Sequence, residues 1–260
     1  MTKLKQYQVD AFTNRVFEGN PAAVCPLEFW LEDAVLQSIA SENNLAETAF
    51  FVPADKGFDL RWFTPVKEVN LCGHATLASA HVIFEILGYA DPLIRFQTRS
   101  GELTVQRKGD LLEMDFPALA LKPCINFDAL AAALGQRPIE VFSTEDYLAV
   151  FDNEAIIRGI TPDYGHLSQL GLRGVCITAP STEFDFVSRF FAPKYGIPED
   201  PVTGSAHCAL APYWAKRLNK NNLNARQVSA RGGNIGCEVK ADRVLFSGHA
   251  VTFMTAEIIF

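Results

Sequence analysis

The sequence predicts an α+β fold made of two similar halves, each with a helix packed inside a β-sheet. The first reason is an internal repeat, because a fixed offset in a sequence usually marks a duplicated structural unit. Residues 61–65 (RWFTP) have a counterpart in residues 189–193 (RFFAP), about 130 positions later. A Phe-Asp pair precedes both motifs, at residues 58–59 and 184–185, and the gap that follows it is longer in the second copy.

Two further pairs of segments repeat at nearly the same offset. Residues 73–80 (GHATLASA) match residues 204–211 (GSAHCALA), so each half contains a helix that opens with glycine and is rich in alanine. Residues 97–101 resemble residues 227–232, and both lead into the alternating pattern that is typical of a β-strand. The three matches occur in one order, which makes a chance resemblance improbable.

The boundary between the halves is predicted at residues 117–123 (PALALKP). Prolines flank this stretch, and it follows a predicted strand at residues 111–116, so a connector fits better than the interior of an element. We therefore predict a first half at residues 1–118 and a second half at residues 119–260, with the functional site in the cleft between them.

Composition and charge exclude several classes of protein. The 260 residues are 48% hydrophobic and 20% charged, which is typical of a well-packed globular protein and not of a disordered chain. The formal net charge is −7, and lysine and arginine form no cluster. Nucleic-acid binding is not expected, because it requires clustered basic side chains that displace counterions from phosphates.

A cytoplasmic location is expected. The first residues run from two lysines into an alternating pattern, without the apolar segment of a secretion signal. The most apolar stretch, residues 71–90, contains His74, His81 and Glu85, so it predicts a buried helix and no membrane association. The six cysteines are scattered without metal-type spacing, which favours reduced thiols.

The starts of the two repeated helices are candidate binding sites for an anion. The first turn of a helix leaves backbone N–H groups without internal partners, and their partial positive charge suits a carboxylate. Glycine and alanine at these positions are also explained by close packing of a helix on a sheet. The binding interpretation gains support from the ionisable and hydroxyl side chains at both helix starts, which packing does not require: His74 in the first half, and Asp200, Thr203 and Ser205 in the second.

Glu47 is a candidate acid/base residue. It stands in the segment NLAETAFF (residues 44–51), where a predicted helix leads into a strand that is apolar from Ala49 onward. A carboxylate at the mouth of a buried strand is either solvated at an edge or kept for chemistry, because burial without a partner is costly. In the second case it would serve as a general base or acid.

Several motifs together resemble the PhzF family of phenazine-biosynthesis-like isomerases. They occur in the order of the family and span nearly the whole chain: GNPAAV at residues 19–24, NLAETAFF at residues 44–51, VNLCGHATLASA at residues 69–80, EDPVTGSAHCA at residues 199–209 and QVSARGG at residues 227–233. The resemblance implies the diaminopimelate-epimerase-like fold, in which two similar domains each wrap a mixed sheet around a central helix. It also suggests a homodimer.

The resemblance further implies a chemistry without metal or organic cofactor, in which a glutamate removes and returns a proton on a small carboxylate-bearing substrate. Glu47 matches that glutamate, and His74 and Asp200 match further polar residues as candidates for catalysis. Ala46 departs from the family, which often has a serine before the glutamate. The candidates for substrate binding are Asn20, Gly73, Thr203, Gly204 and Ser205.

Two other functions stay open at this level. A racemase or epimerase of the same fold would use two facing cysteines as base and acid, and Cys72 and Cys208 are the only candidates near the helix starts. The more economical interpretation of Cys208 is a small buried hydrophobic residue. A non-catalytic protein could use the same fold to bind a metabolite, but it would gain nothing from placing Glu47 in an anion pocket.

Overall fold

The structure is a computed structural model that describes residues 1–260, and the chain forms two compact units. Unit 1 contains residues 1–115 and 247–260, and unit 2 contains residues 116–246. The division that the sequence predicted at residue 118 differs from these units at the C-terminus, because it assigned the last strand to the second half. That strand pairs along its whole length with the first strand of the chain. An alternating pattern predicts a strand but does not identify its partner.

The secondary structure is mixed in both units. The strands are β1 (Lys3–Ala11), β2 (Asn20–Pro26), β3 (Glu47–Ala54), β4 (Gly57–Phe63), β5 (Glu68–Val69), β6 (Leu93–Thr98), β7 (Gly101–Lys108), β8 (Leu111–Pro117), β9 (Lys122–Pro123), β10 (Glu140–Ser143), β11 (Tyr147–Val150), β12 (Val175–Pro180), β13 (Phe186–Ala192), β14 (Ile197–Asp200), β15 (Asn222–Gln227), β16 (Gly233–Lys240), β17 (Arg243–Gly248) and β18 (Ala250–Ile259). The α-helices are α1 (Asp33–Asn43), α2 (Gly73–His81), α3 (Asp128–Leu134), α4 (Glu154–Gly159), α5 (Tyr164–Ser168) and α6 (Gly204–Leu218).

Unit 1 wraps a mixed sheet around α2. Strand β1 pairs antiparallel with β18 and β2, β2 pairs parallel with β3, and β3 pairs antiparallel with β4. Helix α2 contacts β1, β2, β3 and β18, and every residue from His74 to Ala80 is buried. Small side chains allow this close approach, because alanine and serine add little bulk between helix and strand. A π-helical turn, Val82–Ile86, continues α2.

Unit 2 has the corresponding arrangement around α6. Strand β11 pairs parallel with β12, β12 pairs antiparallel with β13, and β13 pairs parallel with β15. The same order of parallel and antiparallel pairs occurs in unit 1 along β2, β3, β4 and β6. Helix α6 contacts β15 and β16, and most of its first turns are buried. The two-fold α+β repeat predicted from the sequence is therefore confirmed.

Matching ion pairs fix the register of the repeat. Arg61 on β4 donates two hydrogen bonds of 2.8 Å to Glu68, and Arg189 on β13 donates to Glu199 over 2.7 and 3.0 Å. This equivalence aligns Phe58 with Phe186, since both begin the parallel pairing of their strands. The sequence comparison aligned Phe58 with Phe184 instead, because Phe184 is followed by aspartate as Phe58 is. Phe184 lies two residues before Phe186, so that alignment needed a longer gap.

Two expected features of the chain have direct structural counterparts. The apolar stretch at residues 71–90 contains the buried helix α2, and no helix of the protein has both the length and the hydropathy of a membrane span. The connector predicted at residues 117–123 contains the short strand β9, which pairs antiparallel with β10. The sequence did not predict this strand, because prolines flank the stretch and indicate a connector.

Gly19 provides a test of the turn between β1 and β2. It has a φ of +68°, and a Cβ atom there would lie 2.7 Å from Thr13 Cγ2 and nearer still to the Ala11 carbonyl oxygen. Gly88 has a similar φ of +70° with open space around it. We expect G88A to lose about 1–2 kcal/mol through backbone strain alone, and G19A to lose at least about 2 kcal/mol more through the clash.

Urea unfolding of both variants measures the difference. Equal losses for G19A and G88A would show that the close approach of Gly19 to Ala11 does not constrain the turn.

Candidate active site

Three secondary-structure elements of unit 1 bring Asn20, Glu47 and His74 together. Asn20 is the first residue of β2, Glu47 is the first residue of β3, and these strands are parallel neighbours. His74 is the second residue of α2, which packs on both strands. Gly73 begins that helix beside His74. The structure therefore groups four of the residues that the sequence selected, although they are far apart along the chain.

The imidazole of His74 lies between the other polar groups. Its Nε2 atom is 3.2 Å from Glu47 Oε2, and its Nδ1 atom is 3.2 Å from Asn20 Nδ2. An amide nitrogen can only donate, so Nδ1 accepts and the ring proton lies on Nε2, facing Glu47. The approach to Glu47 is close but lacks the angle of a hydrogen bond.

Burial keeps His74 neutral. The residue is 6% exposed, and burial lowers the pKa of His74 to about 3 from its ordinary value of 6.5. Near neutral pH, a neutral imidazole therefore faces the Glu47 side chain, which is 13% exposed. A neutral ring can orient the carboxyl group or relay a proton, but it does not act as a fixed positive charge.

Cys72 is a fourth polar group in this cluster. It precedes α2, is 7% exposed, and places Sγ 3.5 Å from His74 Nδ1. The sequence assigned it a role only in the racemase alternative, because scattered cysteines have no pattern that marks a site. Donor atoms of Glu47, Cys72 and His74 all lie within 4.8 Å of one another, so these residues could hold a metal ion.

Unit 2 contains the second group of selected residues. Thr203 precedes α6 and donates a 2.5 Å hydrogen bond from Oγ1 to Asp200 Oδ2. Gln227, at the end of β15, accepts from the Thr203 amide at 2.9 Å and donates to the Asp200 carbonyl oxygen at 2.7 Å. Gln227 is fully buried and was not selected from the sequence as a site residue. It fixes the loop that carries Asp200.

Ser205 lies in the first turn of α6, after Gly204, and accepts a 3.0 Å hydrogen bond from Arg173 Nη2. Because Ser205 Oγ accepts from Arg173, its own proton can point toward a ligand. Arg173 is held in turn by Asp146, with distances of 2.9 and 2.5 Å. Sequence reasoning missed both residues, since neither belongs to a repeated motif and the contact with Ser205 spans 32 positions.

His207 has the packing role that the sequence gave it. It is fully buried on α6 and donates from Nδ1 to the Thr203 carbonyl oxygen at 2.8 Å. Its ring stands against Phe186 and Phe246. Burial lowers the pKa of His207 to about 4, so this ring is also neutral at neutral pH.

Comparison with known proteins identifies the class. The sequence model described as phenazine biosynthesis-like protein, PhzC-PhzF, matches residues 9–256. An uncharacterized isomerase of Pseudomonas aeruginosa is 55% identical over 256 residues, which cover 98% of this chain and 99% of the relative. A crystal structure of a PhzF-family protein from Enterococcus faecalis superposes with a TM-score of 0.98 at 46% identity and covers 100% of both chains.

The chain therefore belongs to the PhzC/PhzF phenazine biosynthesis-like family, as the motifs indicated. Its fold is that of the diaminopimelate-epimerase-like proteins. A hydroxyproline epimerase from Agrobacterium vitis shares this fold with a TM-score of 0.62 at 10% identity, over 98% of this chain and 92% of the epimerase. The names of the curated relatives support an isomerase of the family.

Acid sensitivity tests the neutral state of His74. Between about pH 6.5 and pH 3 the unfolded chain binds a proton at this position that the folded chain does not, so the free energy of unfolding falls as the pH is lowered. We expect H74N to reduce the slope of stability against pH by up to about 1.4 kcal/mol per pH unit in this window. Urea unfolding at several pH values measures it.

The control is Q169N, because Gln169 is exposed at the end of α5, does not titrate and should leave the slope unchanged. An NMR titration of the ring nitrogens gives an independent measurement. An imidazolium signal from His74 at pH 6 would contradict the assignment.

Proposed function

We propose that this protein is a cofactor-independent isomerase that moves a proton on a small carboxylate-bearing metabolite, with Glu47 as the general base and acid. The observation that carries the proposal is the position of Glu47, whose carboxyl group is largely enclosed and lies 3.2 Å from the neutral imidazole of His74. A partly desolvated carboxyl group beside a neutral ring can take up and return a proton without leaving a fixed charge nearby.

His74 and Asn20 support Glu47 in this proposal. Asn20 holds the imidazole through Nδ1, which directs Nε2–H toward Glu47. The ring can then donate a hydrogen bond to the carboxylate when Glu47 has lost its proton. That hydrogen bond is broken when Glu47 is protonated. The proposed role of His74 is to orient the carboxyl group, and transfer of a proton to the substrate is assigned to Glu47.

The cluster in unit 2 is proposed to bind the substrate carboxylate and to supply a second acid. The first-turn amides of the 15-residue helix α6 carry partial positive charge, and Ser205 has a proton available for an acceptor. Thr203 and Gly204 lie at the same turn. Asp200 is the proposed second acid, and its hydrogen bond from Thr203 holds it in one orientation.

The racemase alternative loses support from the structure. A two-thiol racemase needs Cys208 as a base or acid, but burial raises the pKa of Cys208 to about 12, so this thiol keeps its proton. A binding protein without catalysis remains distinguishable by experiment, because it would bind carboxylates and exchange no hydrogen. The homodimer and the cytoplasmic location stay predictions.

Hydrogen exchange tests the role of Glu47. Candidate carboxylates that raise the melting temperature are incubated with the protein in D₂O, and incorporation of deuterium is followed by NMR. We expect E47Q to lower the exchange rate at least about 100-fold, since a positioned acid/base group contributes that much or more. The amide keeps the size of the side chain and removes its ability to take a proton.

Glu42 provides a matched control, because it is exposed near the end of α1 and E42Q should exchange at the wild-type rate. Wild-type exchange by E47Q would exclude Glu47 as the base. Absence of exchange from every ligand that binds the wild-type protein would favour the binding protein.

Ser205 tests the site for the carboxylate. With a ligand found in the same screen, we expect S205A to weaken binding about tenfold or more, because a hydrogen bond to a charged acceptor is lost. The control S168A removes a hydroxyl that is exposed on α5 and should bind normally. Isothermal titration calorimetry gives the dissociation constants, and equal values for S205A and wild type would exclude this role.

A further inference from the structure

Three side chains in unit 1 combine the donor types that thiophilic metal ions select. Cys72 offers a sulfur atom, His74 an imidazole nitrogen and Glu47 a carboxylate oxygen, and these atoms lie within 4.8 Å of one another. Sulfur, imidazole and carboxylate ligands are the usual set for Zn²⁺ and for Co²⁺ in its place. Alkaline-earth ions prefer oxygen ligands alone and fit this set poorly.

Each of two separations, taken alone, is close to one edge of a tetrahedral site. Zinc bonds of about 2.3 Å to sulfur and about 2.0 Å to nitrogen or oxygen place sulfur and nitrogen about 3.5 Å apart, and nitrogen and oxygen about 3.3 Å apart. The structure has 3.5 Å between Cys72 Sγ and His74 Nδ1, and 3.2 Å between His74 Nε2 and Glu47 Oε2. These contacts use the two different ring nitrogens, so one ion requires the imidazole or the carboxylate to turn.

A second observation points to a ligand at this position. His74 is 6% exposed, and its Nε2 atom makes no hydrogen bond to the protein although it faces Glu47. A buried polar atom in this condition is costly and needs an explanation. Cys72 also stands at the N-terminus of α2, where the helix dipole favours negative charge on a ligand sulfur.

We propose that Glu47, Cys72 and His74 form a binding site for a thiophilic divalent cation such as Zn²⁺, which acts as a reversible inhibitor and not as a cofactor. The Cys72 thiol gives its proton to solvent as the sulfur–metal bond forms. His74 binds through Nε2 while its ring proton passes from Nε2 to Nδ1, where Asn20 turns its amide oxygen to accept it, and no electron is transferred. Inhibition rests on the proposed function, because the metal occupies the oxygen with which Glu47 would take the substrate proton. Cation binding itself does not depend on it.

Cobalt substitution tests the site directly. Co²⁺ is added to the metal-free wild-type protein under reducing conditions, and absorbance is followed in the near ultraviolet and the visible range. We expect a sulfur-to-cobalt charge-transfer band that saturates at one ion per chain and disappears when Zn²⁺ is added. A titration without that band would overturn the proposal.

Two variants and one control identify the ligands. We expect C72A to abolish the charge-transfer band. Loss of a residue that only supports a metal ligand weakens binding by about 10- to 100-fold, and we expect E47Q to weaken cobalt binding by more than that because Glu47 is a direct ligand. The control C124A removes a thiol that is partly exposed in unit 2 and should bind cobalt as the wild type does. An unchanged band in C72A, or its loss in C124A, would place the metal elsewhere.

Thermal denaturation keeps the test valid if a variant is unstable. Zn²⁺ should raise the melting temperature of the wild type and of C124A but not of C72A or E47Q, each compared with its own metal-free sample. Equal zinc-induced shifts in wild type and C72A would overturn the site. Failure of the proposed function would give a different result. In that case the E47Q variant would still exchange deuterium, while the wild-type protein would still bind cobalt.

Discussion

The packing of helix α2 inside the sheet of unit 1 is the constraint on which the first candidate cluster depends. Small residues let α2 approach β1, β2 and β3 closely, and every residue from His74 to Ala80 is buried. His74 enters the interior with its helix and meets Glu47 and Asn20 at the ends of two parallel strands. Burial then keeps its ring neutral, which determines what the cluster can do with a proton.

The repeat shows how the two units acquired different chemistry on one scaffold. With Arg61 aligned on Arg189, Glu47 corresponds to Gly174, Cys72 to Thr203 and His74 to Ser205. Unit 1 therefore has a carboxyl, a thiol and an imidazole where unit 2 has hydroxyl groups and a glycine. Gly174 has no room for a side chain, because a Cβ atom would lie 2.6 Å from the Phe190 ring. Arg173, beside Gly174, contacts Ser205 instead.

These differences suit different tasks. The groups in unit 1 can gain and lose protons, or bind a soft metal ion through the same atoms. The groups in unit 2 donate hydrogen bonds from the Ser205 hydroxyl and from the first-turn amides of α6, which suits recognition of a carboxylate. The Glu47 oxygen that is proposed to take the substrate proton is also a proposed ligand of zinc, so metal binding would block the proposed catalyst.

The sequence by itself determined the two-fold repeat, the helix at the centre of each half and the family, because local motifs and their spacing carry that information. It also selected Glu47 by its position at the mouth of a buried strand, and His74, Asp200 and Ser205 by residue type and position beside a helix start. Only the tertiary structure decided that β18 pairs with β1, that Cys72 contacts His74, and that Gln227 and Arg173 hold the unit 2 cluster. Those contacts join residues that are far apart along the chain, and no periodic pattern in the sequence indicates which distant residues will meet.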